Sequence, residues 1–151
     1  MNPILKKLNL KEGSTVFVQN FPADLSALRA DLQALAVVTE TLDQPVEAAL
    51  VFATTQQQIN ETAPALATQA PGDATVWFAY PKGSSKKYRC DFNRDTGWAV
   101  LGELGFEPVR MVAIDADWTA LRFRRVSYVK QLSRSRALSA EGQQRLADSG
   151  Q

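Results

Sequence analysis

The 151 residues carry a formal net charge of +1, with 45% apolar and 22% charged side chains; this is the profile of one folded domain, and it excludes a global field drawing the chain to nucleic acid or an anionic membrane. Histidine is absent and Cys90 is the sole cysteine, which excludes a structural zinc site, His-ligated catalytic zinc, imidazole-based nucleophiles and an intramolecular disulfide. No run approaches the ~20 apolar residues that span a bilayer, and residues 1–10 lack the continuous apolar segment of a secretory signal, so a cytoplasmic protein without a membrane partner is expected.

Leu10-Lys11-Glu12-Gly13 reads as a turn into a first strand over 14–19, where Val16 and Val18 alternate with Phe17. Asn20, Phe21, Pro22 and Asp24 break it and supply caps for a helix over 23–35, in which Leu25, Leu28, Leu32 and Leu35 recur at helical spacing. Residues 37–41 are β-prone, and Asp43-Gln44-Pro45 separates them from the strongly apolar run 48–53, a central strand buried on both faces. Thr54 or Thr55 caps a helix through about residue 70 that presents Ile59, Ala63, Leu66 and Ala67 on one stripe, with Pro64 expected to bend or split it. Pro71-Gly72-Asp73 turns the chain into a strand over 75–80 that ends at Pro81. A polar, basic loop over 82–93 follows, then a helix capped by Asp95 or Thr96 that carries Trp98, Val100, Leu101 and Leu104 and stops at Gly105. Residues 109–114 and 119–126 read as an antiparallel hairpin turned by Asp115-Ala116-Asp117-Trp118.

This order predicts an α/β fold with a mainly parallel sheet, helices on both faces and a C-terminal antiparallel hairpin, all within a domain over 1–129; a basic, Ser-rich tail occupies 130–151. The segment 37–41 conflicts with a simple crossover, because only a handful of residues join it to Ala48 where a parallel connection wants a dozen or more. It is expected to be short, at an edge, or outside the sheet.

The back half resembles class I methyltransferases in the order of its elements: a strand like 48–53 before a helix, a strand introduced by Pro71-Gly72, a helix ending in Leu104-Gly105-Phe106, and a closing hairpin. Leu10-Lys11-Glu12-Gly13-Ser14-Thr15-Val16 is similar to the approach to that fold's first strand. Tyr80-Pro81-Lys82, Arg94-Asp95-Thr96-Gly97-Trp98 and Ala113-Ile114-Asp115-Ala116-Asp117-Trp118-Thr119-Ala120-Leu121-Arg122-Phe123 resemble a family of short bacterial proteins of unknown function, itself similar to a degenerate, truncated methyltransferase domain. The resemblance implies a Rossmann-like fold. It breaks at the turn after the first strand, where methyltransferases use glycines to bring backbone amides to S-adenosylmethionine. Here that turn is Gln19-Asn20-Phe21-Pro22-Ala23-Asp24, with no glycine, and Pro22 has no amide donor. No cofactor is therefore expected, and methyl transfer is the weaker reading; Glu40 alone stands where an acidic residue could hold a ribose.

The candidate anion site is the loop after the strand over 75–80, at the end of the sheet where open α/β folds bind ligands. Lys82, Ser84, Ser85, Lys86 and Lys87 supply charge and hydroxyls, Arg94 adds a guanidinium fork, and the following helix offers its positive end. The spacing is not that of a P-loop, and the same residues also suit a solvated loop. Asp91, Arg94 and Asp95 read as a helix-capping network in preference to an anion clamp, with Arg94 paired to Asp91, and Asp115 and Asp117 read as turn formers. No acidic pair is spaced for a metal. Lys86, Lys87 and Arg89 would lower the pKa of Cys90, a residue otherwise read as a bystander. The function that follows is a non-catalytic binding or regulatory module recognising a small anion or a protein partner, with self-association left open and nucleic acid not expected. The alternative is an enzyme acting on an anionic small molecule, with Asp91, Asp95 or Tyr80 moving the proton.

Overall fold

A computed structural model describes residues 2–129; the expected tail lies outside the described residues. The chain opens with a short helix, α1 (Pro3–Lys7), which the periodicity alone did not suggest. Its signal is the Asn-Pro pair: the Asn2 side chain accepts from the Ile4 amide at 2.8 Å, and Pro3 occupies the first turn, where no amide is needed. Leu5, Leu8 and Leu10 are thereby buried against the sheet, and the Leu8 carbonyl accepts the Trp77 indole N–H at 2.7 Å.

The remaining elements are β1 (Thr15–Gln19), α2 (Ser26–Leu35), β2 (Val37–Thr39), β3 (Ala48–Phe52), α3 (Gln56–Gln69), β4 (Thr75–Pro81), α4 (Ala99–Glu103), β5 (Phe106–Ala113) and β6 (Trp118–Arg125). They form one six-stranded sheet in the order β2-β1-β3-β4-β6-β5. The strands from β2 to β4 run parallel, and β6 lies antiparallel between β4 and β5. This is the predicted Rossmann-like architecture with its closing hairpin.

The doubtful segment forms a three-residue edge strand on β1. Because β2 is so short, the chain returns to the start of β3 without a crossover helix, pinned by the Glu47 amide on the Thr15 carbonyl (2.9 Å) and the Val46 amide on the Gln69 carbonyl (2.8 Å). The need for a dozen connecting residues applies to strands of ordinary length.

Alternating side chains divide the core between the two faces of the sheet. Val16, Val18, Leu50, Trp77, Ala79 and Ala120 pack under α1 and α2, while Phe17, Val51, Val76, Phe78, Leu121 and Phe123 pack under α3 and α4. Thr55 closes a capping box with Gln58 at the start of α3. Pro64 does not split this helix, which runs unbroken through it. Pro64 and Asn60, whose carbonyl loses its helical partner, both face outward, so water can satisfy the freed group. The last helix is also shorter than predicted. Neither Asp95 nor Thr96 caps it; α4 begins at Ala99 without a side-chain cap, and Gly105 at φ 86° carries the chain into β5.

Candidate functional site

Chemistry in this architecture is placed by the loops at the C-terminal ends of the parallel strands. After β1, Asn20 takes the left-handed conformation (φ 57°) that a glycine would take with less strain, and its side-chain amide donates to the Phe52 carbonyl at 3.1 Å. Phe21 then lies on Phe52 with ring centroids 4.7 Å apart, and Trp118 meets the same ring edge-on at 5.2 Å. Tyr88 completes the stack on Trp118 at 4.8 Å. The space above the ends of β1 and β3 is thus occupied by aromatic side chains, leaving a hollow of about 290 Å³.

Asp24 ties the neighbouring loop over this stack. Its carboxylate accepts from the Tyr88 hydroxyl at 2.7 Å and from Lys87 Nζ at 3.2 Å. The Tyr88 hydrogen bond and the Lys87 charge hold the Asp24 pKa below its ordinary value. The loop is fastened on its other side by Asp117, which accepts from the Ser85 hydroxyl at 2.8 Å through its carboxylate and from the Lys82 amide at 2.8 Å through its carbonyl. Asp115 forms the predicted turn, its carboxylate accepting from the amides of Asp117 and Trp118, both at 2.8 Å.

Beyond the loop, between the end of β4 and the β5–β6 hairpin, lies a cavity of about 880 Å³. Tyr80 and Phe92, 5.6 Å apart, form its apolar floor with Met111, Ala113 and Thr119. Trp98 backs the floor at 5.6 Å from Tyr80 and 5.1 Å from Phe92, its indole N–H donating to the Asn93 carbonyl at 2.9 Å. Gly97 permits this packing: at φ 95° it lies so close to Phe92 that an added Cβ would stand 2.6 Å from Phe92 Cβ. Lys82, Arg89 and Arg94 reach the cavity wall, and among the described residues no acidic side chain lines it.

The predicted site residues therefore divide. Lys82, Ser85 and Arg94 line the cavity, although the Ser85 hydroxyl is engaged by Asp117. Lys87 is turned to Asp24, and Ser84 and Lys86 are exposed on the loop without lining the cavity. Arg89, Tyr88 and Phe92 belong to the cavity and were not among the predicted anion ligands; Arg89 was legible as a third cation in the same basic run.

The expected charge network is rearranged. Asp91 does not pair with Arg94: its carboxylate accepts from the Gln56 amide at 2.7 Å, placing a negative charge at the positive end of α3. Arg94 instead lies 3.6 Å from Asp95. The helix after the loop offers little to an anion, because α4 is a single turn of five residues. Burial pushes the Cys90 thiol up, against the expectation that nearby cations would lower it. Burial likewise raises the Tyr80 hydroxyl. Among the described residues no group of Cys, Asp and Glu could hold a metal ion, and no helix is long and apolar enough to cross a membrane.

No model of a known protein family matches the chain, and no curated protein matches it. Among solved structures, a SAM-dependent methyltransferase from Aquifex aeolicus is similar over 82% of this chain and 88% of its own, at 14% identity and a TM-score of 0.58. The N-methyltransferase NodS from Bradyrhizobium japonicum is similar over 80% of this chain and 92% of its own, at 13% identity and a TM-score of 0.50. The fold is that of SAM-dependent methyltransferases, and at such identities the likeness concerns the fold alone.

Proposed function

We propose that the chain is a binding module on a methyltransferase-like fold, holding a small organic anion in the cavity at the end of β4 through Lys82, Arg89 and Arg94. The observation that carries this reading is the cavity itself: about 880 Å³ with cations on its wall, an aromatic floor and, among the described residues, no acidic side chain in its lining. That volume lies within the ~300–1,000 Å³ of small-molecule sites, and apolar walls lower the local dielectric so that each cation attracts an anion more strongly than it would in water.

The groups that an enzyme would use to move protons are engaged elsewhere or held in one state. The Asp91 carboxylate serves the start of α3, Asp95 sits beside Arg94, and Tyr80 keeps its proton through burial. What counts against methyl transfer is the bulky turn after β1, where the Phe21 ring packs on Phe52 and Pro22 offers no amide donor. Asn20 already takes the left-handed conformation that a glycine turn would use, so the reading against methyl transfer rests on side-chain bulk rather than on φ.

Calorimetric titration and thermal shift of the full chain with a panel of carboxylates, phosphate esters and S-adenosylmethionine test this. An organic anion should raise the melting temperature, and Arg89→Ala together with Arg94→Ala should weaken its binding about tenfold or more. If S-adenosylmethionine alone binds, or if the anion binds the double variant undiminished, the assignment is wrong.

A further inference from the structure

We infer that the sheet carries a second anion site on its opposite face, where Arg110 and Arg122 hold a phosphoryl dianion between their guanidinium groups; the inference stands independently of the cavity at the end of β4. The residues paired across the strands define the place. Leu50 on β3, Trp77 on β4, Arg122 on β6 and Arg110 on β5 form one row across the sheet. Side chains in such a row share a face, so both arginines lie on the side of Trp77, away from Tyr80 and Met111. The inner half of the row is dry: Leu50 and Trp77 are fully buried, and the end of α1 reaches Trp77 through the bond from its indole to the Leu8 carbonyl. Arg122 is half-buried at the boundary, and Arg110 is exposed at the rim.

Two features of this pair are unfavourable as they stand. Like charges are placed directly opposite each other, with Cβ atoms roughly 5 Å apart, and such a pair destabilises a sheet. The Arg122 Nε–H is buried without a hydrogen-bond partner among the described residues, and an unmade hydrogen bond from a charged group is costly. Burial, followed by the charges of Arg124 and Arg110, lowers the Arg122 pKa below its ordinary value, with Asp73 acting the other way. Neither Arg110 nor Arg122 has an ion-pair partner among the described residues. The acids of this face serve the neighbouring arginine: Asp73 receives two hydrogen bonds from Arg124, and Glu107, fully buried, stands opposite Arg124 in the register. An oxyanion between the two guanidinium groups removes both costs, since it accepts from the Nε–H and separates the like charges. Charge and acceptor count choose its class. A phosphoryl group carries close to two negative charges and three strong acceptor oxygens, enough for two guanidinium forks. A carboxylate offers one charge and two oxygens, which a single fork satisfies. The buried side of the row lowers the local dielectric and strengthens the attraction.

The test titrates the full chain calorimetrically at about pH 8, where phosphate monoesters are dianions, with inorganic phosphate, methyl phosphate, dimethyl phosphate and acetate. The two dianions should bind about tenfold tighter than the two monoanions and should shift the Arg122 Nε–H resonance in side-chain NMR spectra. Arg110→Gln, at an exposed position, should weaken methyl phosphate binding about tenfold or more, and should raise the melting temperature in phosphate-free buffer by relieving the like-charge pair. Arg89→Ala together with Arg94→Ala, on the other face, should leave methyl phosphate binding within about twofold. Tighter binding of methyl phosphate than of inorganic phosphate identifies a monoester as the ligand, and the reverse identifies free phosphate; either supports the site. Phosphate binding that survives Arg110→Gln but not the cavity variant overturns the inference and leaves the proposed function standing. Dianions that bind no better than monoanions, or an Arg122 resonance that does not respond, overturn it as well.

Discussion

Arg125 shows how a single side chain can close an element that the sequence leaves open. No glycine or asparagine follows α3 directly; the guanidinium reaches back from the end of β6 and donates to the carbonyls of Ala67, Ala70 and Gly72 at 2.7 to 2.8 Å. It also lies 4.8 Å above the Phe106 ring. These are the orphan carbonyls of a helix C-terminus, where a cation is favoured by the helix dipole as well. Arg125→Ala should therefore cost about 2 kcal/mol in denaturant unfolding, and Arg125→Lys should recover half of that or less, because one ammonium cannot span three carbonyls. Asp73, beside the same turn, receives two hydrogen bonds from Arg124 at 2.7 and 2.8 Å, and these hold its pKa below the ordinary 3.8. A carboxylate whose folded-state pKa is depressed stabilises the fold fully above its unfolded value, and that contribution disappears as pH falls through the folded value. Both partners are about one-third exposed, so the effect is about 1 kcal/mol or less. Unfolding midpoints measured from about pH 6 down to about pH 2 should fall less steeply for Asp73→Asn than for the unaltered chain.

At the scale of elements, what could be read from the sequence was local and what could not was tertiary. β1, β3, β4 and the β5–β6 hairpin follow from apolar alternation and turn residues within a few positions, and α2 follows from leucines at helical spacing. By contrast, the short α4 reflects Trp98 being drawn into the core against Phe78 and Phe123, contacts between segments far apart in sequence. The candidate site behaved the same way. The basic loop could be identified as a place for charge, whereas the assignment of Asp91 to α3, Lys87 to Asp24 and Ser85 to Asp117 depends on partners 35, 63 and 32 residues away. Pro64 is tolerated within α3 because it lies on the side of the helix that faces water, which its neighbours in sequence do not reveal. That exposure leads to a prediction: because Pro64 still removes one helical hydrogen bond, Pro64→Ala should stabilise the protein by about 1–3 kcal/mol, read as a higher denaturant midpoint at an unchanged slope. A lower midpoint would mean that the stiffness of proline in the unfolded chain outweighs the lost bond.

For the molecule as a whole, the sheet couples its two cores. β3 sends Ala49 and Val51 to the face under α3 and α4, and Ala48, Leu50 and Phe52 to the other, while β4 alternates in the same way with Val76, Phe78 and Tyr80 against Trp77 and Ala79. Loosening either central strand empties both clusters together, so neither face has a core that survives alone. The tryptophans allow this to be observed, because Trp98 reports from one face and Trp77 and Trp118 from the other. A variant with Trp77→Phe and Trp118→Phe retains the first reporter, and Trp98→Phe retains the other two. Each substitution lowers stability by its own amount, so the comparison is made within each variant: fluorescence and far-ultraviolet circular dichroism should trace one coincident transition. A fluorescence change that precedes the dichroism change in either variant would show that one face melts first. That outcome would make the cavity at the end of β4 a separable unit, since its floor of Tyr80 and Phe92 belongs to the cluster that Trp98 reports.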